Sequence, residues 1–472
     1  MLIISNTESE LTASVGFIVE TLKILGFMIN FEKSVMQPCK KLIHLGFQID
    51  SDSVNVTLLK EKVMRVISLC KELIDKEQDT IRNVAKVIGT LVACFPAVQL
   101  GSLRYRNLER EKDFALKGNR GDFDATMIIT DGMRCDLQWW VDNINSQENP
   151  IVRNNPEIML TSDASLEGWG GTCGTERFGG RWNEEEKVRH INLLELLGAF
   201  FVLKVCKNHI EGKHVHMLLD NTTAIAYINH MGGKHGNLNS LAVEVWNWCL
   251  EHDIWLSAAH LPGVENVEAD YESRHFNDRC EWSLHEGVFQ RLIEVFGKPE
   301  IDLFASRLNA TCTRFVAWQR DPHAEFIDAF SRDWSYFYAY VFPPFSLIGR
   351  TLQKIRAERT RALMIVPCWP TQPWFSMFLQ MLSRRPVLLP KMDKLLVLKF
   401  SEQLHPLRKK LTLIAGHISG EPTETQIYQS GLPLSSCVPG NQELTNSIQC
   451  TSGDGMHFVS RGRSIVFPPL SM

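Results

Sequence analysis

In the amino-terminal part of the chain the apolar positions change period several times. Leu2–Ile4 is a short apolar run that predicts a strand, and Leu11–Leu25 has helical spacing that Gly26 would stop. Phe27, Ile29 and Phe31 then alternate, which predicts another strand, and Leu42–Ile49 reads as a strand or hairpin arm. Val63, Ile67, Cys70 and Leu73 predict a helix between Thr57 and Ile74. Ile81, Val84, Val87, Ile88 and Leu91 predict a second one between Thr80 and Cys94, ended by Pro96. Residues 110–135 are polar, contain Gly118 and Gly121, and read as a linker or exposed loop before a helix around Cys135–Ile144. Asn154–Asn155–Pro156 marks a boundary.

A distinct block covers about 157–275. Ile158–Leu160 leads as a buried strand into Asp163. Gly168, Gly170 and Gly171 permit a tight turn into a second strand, and Arg177–Trp182 reads as a third. Asn192–Val205 is apolar on nearly every side, so it predicts a helix buried all round, with Glu195 as its only acid. Such a carboxylate is costly unless a cation or proton compensates it. Asn192 and Glu195 also fit the cap and third positions of a capping box. Val215–Leu219 is a strand ending in Asp220, which by itself fits a helix N-cap before Ala224, Ile225 and Ile228. A helix over Asn239–Glu251, a strand over Ile254–Ala259 and a polar helix over Glu265–Arg274 with Asp270 complete the block.

A third, aromatic-rich block begins near Pro299 and extends to about Gly420. Its basic run Lys354, Arg356, Arg359, Arg361 reads as a phosphate contact or a solvated helix face. Residues 421–472 are rich in Ser, Thr, Gly and Pro without a sustained period, and are expected to be a disordered tail.

Composition narrows the class. The 472 residues make about three domains. With 54 acidic against 50 basic residues and a net charge of −4, any nucleic-acid contact must use local patches. Hydrophobic residues at 44% and charged residues at 22% exclude disorder over the whole length. No apolar run approaches the roughly 18 residues of a membrane span, and Met1–Glu10 lacks the basic region of a secretory signal. The 12 cysteines are scattered, with no CxxC or HExxH, which argues against a zinc site and for reduced thiols in an intracellular protein.

The informative feature is the order of four acids: Asp163 on a strand, Glu195 on a helix, Asp220 at a strand end and Asp270 on a helix, spaced by 32, 25 and 50 residues. In this order and context, residues 157–278 resemble a type 1 ribonuclease H domain of a retroelement. The closing segment PGVENVEADYESR is similar to the retroelement pattern of Asn, then Ala-Asp, then Ser-Arg, although Glu272 adds a charge there. The resemblance implies a mixed five-stranded sheet flanked by helices. It implies that Asp163, Glu195, Asp220 and Asp270 are both catalytic and metal-binding. In the family the first and third acids share the metals, and the Glu and the last Asp take one each.

Such chemistry needs acids. In-line cleavage of a phosphodiester develops charge on the attacking and the leaving oxygen, and two divalent ions about 3.5–4 Å apart stabilise both. Mg²⁺ prefers carboxylate oxygens, and Mn²⁺ is an alternative. The substrate implied is an RNA–DNA hybrid, recognised through its 2′-hydroxyls. Candidate contacts are Ser165 with its neighbour Leu166, Asn221 and Thr222 at a helix N-terminus, and Lys234 in the weakly basic loop His230–His235. His260 reads as a structural strand-end residue, and His275 as a weak candidate for a mobile histidine near the fourth acid.

The flanks extend the resemblance. MLIISNTESE, GFMINFEKS and LIHLGFQI resemble the end of a reverse transcriptase palm over residues 1–56, with thumb or connection helices over 57–150; the alternative is a generic α/β edge. The chain begins where the polymerase's Tyr-x-Asp-Asp turn would have ended, and no Asp-Asp pair occurs in it, so nucleotide transfer is not expected. IDLFASRLNA, FSRDWS, FPPFSLIGR and PCWPTQPW resemble the region after ribonuclease H in DIRS-like retrotransposons, which is similar to DNA adenine methyltransferases and here spans 295–420. Phe342–Pro343–Pro344–Phe345 lacks the acid of the methylating Asp-Pro-Pro-Tyr turn and reads as a packing turn. The expected whole is an α/β polyprotein fragment: palm and thumb remnant, ribonuclease H, methyltransferase-like module. Other polyprotein parts are possible partners, and no membrane is implied. The alternative is a non-catalytic nucleic-acid-binding relic or assembly protein.

Overall fold

A computed structural model describes residues 2–276, 281–435, 450–452 and 455–471. The chain forms two compact units, one of Met1–Met159 with Ile210–His260 and one of Leu160–His209 with Leu261–Met472.

In the first unit, α1 (Glu8–Ile24) is capped by Thr7, whose hydroxyl accepts from Glu10 N, and it buries no residue. Leu2–Ile4 and Phe27–Phe31 are not strands. Among the described residues no strand pairs with either, and a strand without a neighbour leaves its amides and carbonyls unpartnered. Asn30 instead caps a single 3₁₀ turn at Phe31–Lys33.

The expected hairpin arm is present. β1 (Lys41–His44) and β2 (Phe47–Asp50) join through Leu45 and Gly46, both at positive φ, as a two-residue hairpin loop requires. β3 (Asn55–Leu58) and the later β6 (Glu148–Pro150) complete the order β1-β2-β3-β6.

α2 (Lys60–Ile74), α3 (Ile81–Val92), α4 (Arg106–Gly118) and α5 (Asp131–Asn143) share a core that includes Val66, Cys70, Val84, Leu108, Leu137 and Trp140. The reading of 110–135 as a linker is therefore corrected. Leu108, Ala115 and Leu116 give α4 an apolar face that its charged residues mask in composition. Gly118 ends the helix, and Gly121 turns the chain at φ +88°. β4 (Gln78–Thr80) and β5 (Thr126–Ile128) pair beside it.

The remaining segment of this unit holds β10 (His214–Leu219) parallel to β11 (Trp255–His260), with α8 (Thr222–Asn229) and α9 (Gly236–Glu251) between them in sequence.

The second unit opens with an antiparallel meander of β7 (Ile158–Ala164), β8 (Gly168–Cys173) and β9 (Glu176–Arg181). The full five-stranded mixed sheet has the order β11-β10-β7-β8-β9. α6 (Glu184–Lys187), α7 (Ile191–Ile210) and α10 (Val267–Arg274) follow their strands. Gly170 and Gly171 are not turn residues, as the sequence suggested, but lie within β8. A Cβ on Gly170 would come within 2.2 Å of Ala269 O and 2.5 Å of Ser273 N, so the bare strand is what lets α10 pack down on it.

The third block adds β12 (Ser283–Leu284), α11 (Glu286–Phe296), β13 (Ile301–Asp302), β14 (Arg314–Ala317), β15 (Phe326–Ile327), β16 (Tyr338–Val341) and α12 (Ile348–Ala357). It continues with β17 (Arg361–Pro367), α13 (Pro373–Gln380), β18 (Val387–Leu388), β19 (Leu396–Val397), β20 (Leu413–Ser419) and α14 (Pro422–Ser430). β12 pairs with β19. The main sheet runs β15-β14-β13-β16-β17-β20-β18, parallel from β15 to β17 with β20 antiparallel to β17. The Phe342–Phe345 turn links β16 to α12. The basic run is not one helix face: α12 ends at Ala357, Arg359 sits at φ +54°, and Arg361 opens β17 paired to Glu424.

The expected disordered tail is corrected where it is described. β21 (Cys450–Ser452), β22 (Gly455–Ser460) and β23 (Arg463–Phe467) form a sheet, and Phe458 and Phe467 are fully buried in the block's core. Residues 436–449, 453, 454 and 472 of that expectation lie outside the described residues. No helix among the described residues is long and apolar enough to cross a membrane.

Candidate active site

Asp163 lies near the carboxyl end of β7, opposite Gly170, and is 5% exposed. Two groups from the α10 region fix its strand. Asn266 Nδ2 donates to Ser162 O at 2.9 Å, and Ser273 Oγ donates to Asp163 Oδ2 at 2.7 Å. The Ser165 hydroxyl closes the β7–β8 turn by accepting from Glu167 N and Gly168 N, and donates to Ser273 O at 2.7 Å. Its carbonyl accepts from Trp182 Nε1 at 2.8 Å. Ser165 is thus buried and engaged internally, while Leu166 beside it is exposed.

Glu195 sits on α7, also 5% exposed, between the fully buried Leu194 and Leu196. The capping-box reading fails. α7 begins at Ile191, with Asn192 N donating to His190 Nδ1, so Asn192 is already inside the helix. The capping box of this region is Asn183 with Glu186, on α6. The N-cap reading of Asp220 fails as well: Asn221 caps α8, its Oδ1 accepting from Ala224 N at 2.9 Å. Asp220 follows the last residue of β10 and is half-buried.

Asp163, Glu195 and Asp220 each present an oxygen such that the three lie within 4.8 Å of one another. Carboxylates this close, two of them buried, repel strongly unless a cation lies among them. The donors are all hard oxygens, with no thiolate or imidazole, which fits Mg²⁺ or Mn²⁺ and disfavours softer metals.

Asp270 is not a member of that cluster. It is half-buried on α10, and Arg274 Nε donates to its Oδ1 at 2.7 Å. The Arg274 guanidinium is held above its ordinary pKa first by this hydrogen bond, then by the Asp270 charge, and less by Asp163.

Of the other candidates, Thr222 is exposed at the start of α8. Lys234 is exposed in a loop where Met231 and Gly232 take positive φ. His260 ends β11, exposed, and the His275 ring stacks on Tyr271 at 4.0 Å. Sequence reasoning missed the roles of Ser273 and Arg274. Both stand in the quoted ADYESR segment, but neither spacing nor composition says which side chain they touch.

No protein family matches the sequence, and no curated protein does. Among solved structures, a foamy viral protease-reverse transcriptase in complex with RNA/DNA hybrid is 14% identical over 60% of this chain and 38% of its own, with a TM-score of 0.28. A foamy viral protease-reverse transcriptase dRH in complex with double-stranded DNA is 14% identical over 54% of this chain and 44% of its own, also at 0.28. Ribonuclease H1 from the archaeon Halobacterium salinarum is 17% identical over 24% of this chain and 92% of its own, at 0.20. The chain spans less than half the length of those two viral proteins. TM-scores this low establish no shared fold.

Proposed function

We propose that residues 157–278 are a ribonuclease H that cleaves the RNA strand of RNA–DNA hybrids, using divalent ions held by Asp163, Glu195 and Asp220, with Asp270 joining them. One observation carries the reading: acids 32 and 25 residues apart in sequence bring oxygens within 4.8 Å of one another. Ions bound there would supply electrophilic stabilisation to the attacking water and the departing oxygen. The chain's own residues supply orientation. Ser273 fixes the Asp163 carboxylate, Asn266 fixes the strand beneath it, and burial of Asp163 and Glu195 keeps bulk water from both. The first amides of α8, at Thr222, and the Lys234 ammonium are available to a substrate phosphate.

The flanking parts complete the proposal: a retroelement polyprotein of DIRS-like type, with residues 1–150 corresponding to the end of a palm and a thumb. We assign the third block a methyltransferase-like scaffold without methyl transfer. Its parallel order reverses between β13 and β16, where doubly wound sheets bind ligands. Phe342 replaces the needed acid, and Arg307, in the loop after β13, is spent on Glu186. S-adenosylmethionine is expected not to bind.

The test is hybrid cleavage with and without Mg²⁺. Asp220→Asn is nearly isosteric and is expected to abolish cleavage without lowering the unfolding temperature. A variant that cuts as fast as the parent overturns the assignment. The separation of Asp270 from the cluster favours the second reading, a non-catalytic hybrid-binding relic; that protein would bind hybrid and leave it intact in Mg²⁺ and Mn²⁺ alike.

A further inference from the structure

Asp270, Ser273 and Arg274 share one face of α10, since residues three and four apart on a helix are neighbours. Ser273 ties that face to the acidic cluster, because its hydroxyl lies 2.7 Å from Asp163 Oδ2 and 2.9 Å from Asp270 O. The α10 backbone cannot swing toward or away from the cluster. Gly170 lies beneath Ala269 O and Ser273 N, Gly179 lies beneath Glu272 O, and Ser165 holds Ser273 O. What remains free is the Asp270 side chain, about half exposed, which is turned to the Arg274 guanidinium. An acid preceding a base by four residues is the favourable helical order for such a pair. Arg274 also feels the charge of Asp163, one member of the cluster, though less than that of Asp270.

We propose that Arg274 is a built-in counter-cation for the fourth carboxylate, holding Asp270 away from the acidic cluster so that a divalent ion must displace it to recruit that acid. The proposal rests on the ribonuclease reading and deepens it: the ion-free site keeps three acids together and one in reserve. An exposed pair of this kind is weak, worth up to about 1 kcal/mol, so it is easily exchanged and tunes affinity rather than blocking the site.

The experiment is Mn²⁺ binding measured by calorimetry, without substrate, on the full chain. Arg274→Gln is expected to bind Mn²⁺ about two- to fivefold more tightly than the parent. In an Asp270→Asn background the same substitution is expected to change nothing. Arg177, whose partner Glu268 is also on α10, supplies the control, and Arg177→Gln is expected to bind as the parent does. Unchanged or weaker binding by Arg274→Gln overturns the proposal and leaves the ribonuclease reading standing. Tighter binding that persists with Asp270→Asn also overturns it, because the effect is then a general change of field. A parent that binds no Mn²⁺, like its Asp220→Asn variant, overturns the ribonuclease reading and the proposal with it.

Discussion

Ser273 donates its hydroxyl hydrogen to Asp163 Oδ2 across 2.7 Å, with both residues buried. Hydrogen bonds to charged groups contribute about 1.5–3 kcal/mol, and losing the partner of a metal ligand costs about 10–100-fold in metal affinity or activity. Ser273→Ala is expected to lose stability in that range and to cleave hybrid at least about tenfold more slowly. Denaturant unfolding and a cleavage time course measure the two effects; parental values in both would remove Ser273 from the site.

Gly170→Ala places a methyl 2.2 Å from Ala269 O, a backbone atom that cannot step aside alone. Overpacking of this kind costs about 1–3 kcal/mol, and displacement of α10 carries Ser273 and Asp270 with it. The expected result is a lower unfolding temperature together with weaker Mn²⁺ binding. Gly118→Ala, where nothing lies within 4 Å, is the matched control and is expected to be neutral or slightly stabilising.

Arg307 and Glu186 form a buried ion pair, 6% and 9% exposed, with Nη1 at 2.9 and 2.8 Å from the two carboxylate oxygens. Removing one partner strands a buried charge, so Arg307→Ala is expected to cost about 3–5 kcal/mol. The double variant Arg307→Met, Glu186→Leu is expected to recover most of that, less about 1 kcal/mol for the lost bond from Asn183 N to the Glu186 carboxylate, while Asn183 Oδ1 still caps α6. Equal loss in the single and double variants, by urea unfolding, would show that the charges themselves are not the issue.

Burial raises the Asp136 pKa from 3.8 to about 6, against the opposing hydrogen bonds from Asn107. The folded chain therefore binds this proton more tightly than the unfolded one. Asp136 favours folding most below pH 4, and that contribution is lost as pH rises to about 6 and beyond. Asp136→Asn is expected to gain stability over the parent at pH 8 and to lose the advantage near pH 4. A difference that is flat with pH counts against the assignment.

Much of the site can be read in one dimension. Asp163 and Asp220 are acids at or near the ends of apolar runs, and Glu195 interrupts an otherwise apolar helix; those contrasts survive without coordinates. The bland readings of Glu195 and Asp220 could be settled only by seeing His190 and Asn221 at the helix starts. The β8 glycines read as a turn in the sequence because a residue without a side chain looks the same whether it makes a turn or makes room. Residues 110–135 read as a linker because charge density hides the period of Leu108, Ala115 and Leu116. In the tail, Met456 and Phe458 alternate on one arm and Ile465 and Phe467 on the other, around Arg461–Gly462 at positive φ. That is a hairpin signal, obscured by low-complexity neighbours.

The burial of Phe458 and Phe467 among side chains from Ile301 to Ile418 has a consequence for biosynthesis. A ribosome releases those earlier strands long before the phenylalanines that fill the space between them. Until translation reaches Phe467, the nascent third block carries an open apolar socket, and its final closure must wait for the arrival of β22 and β23.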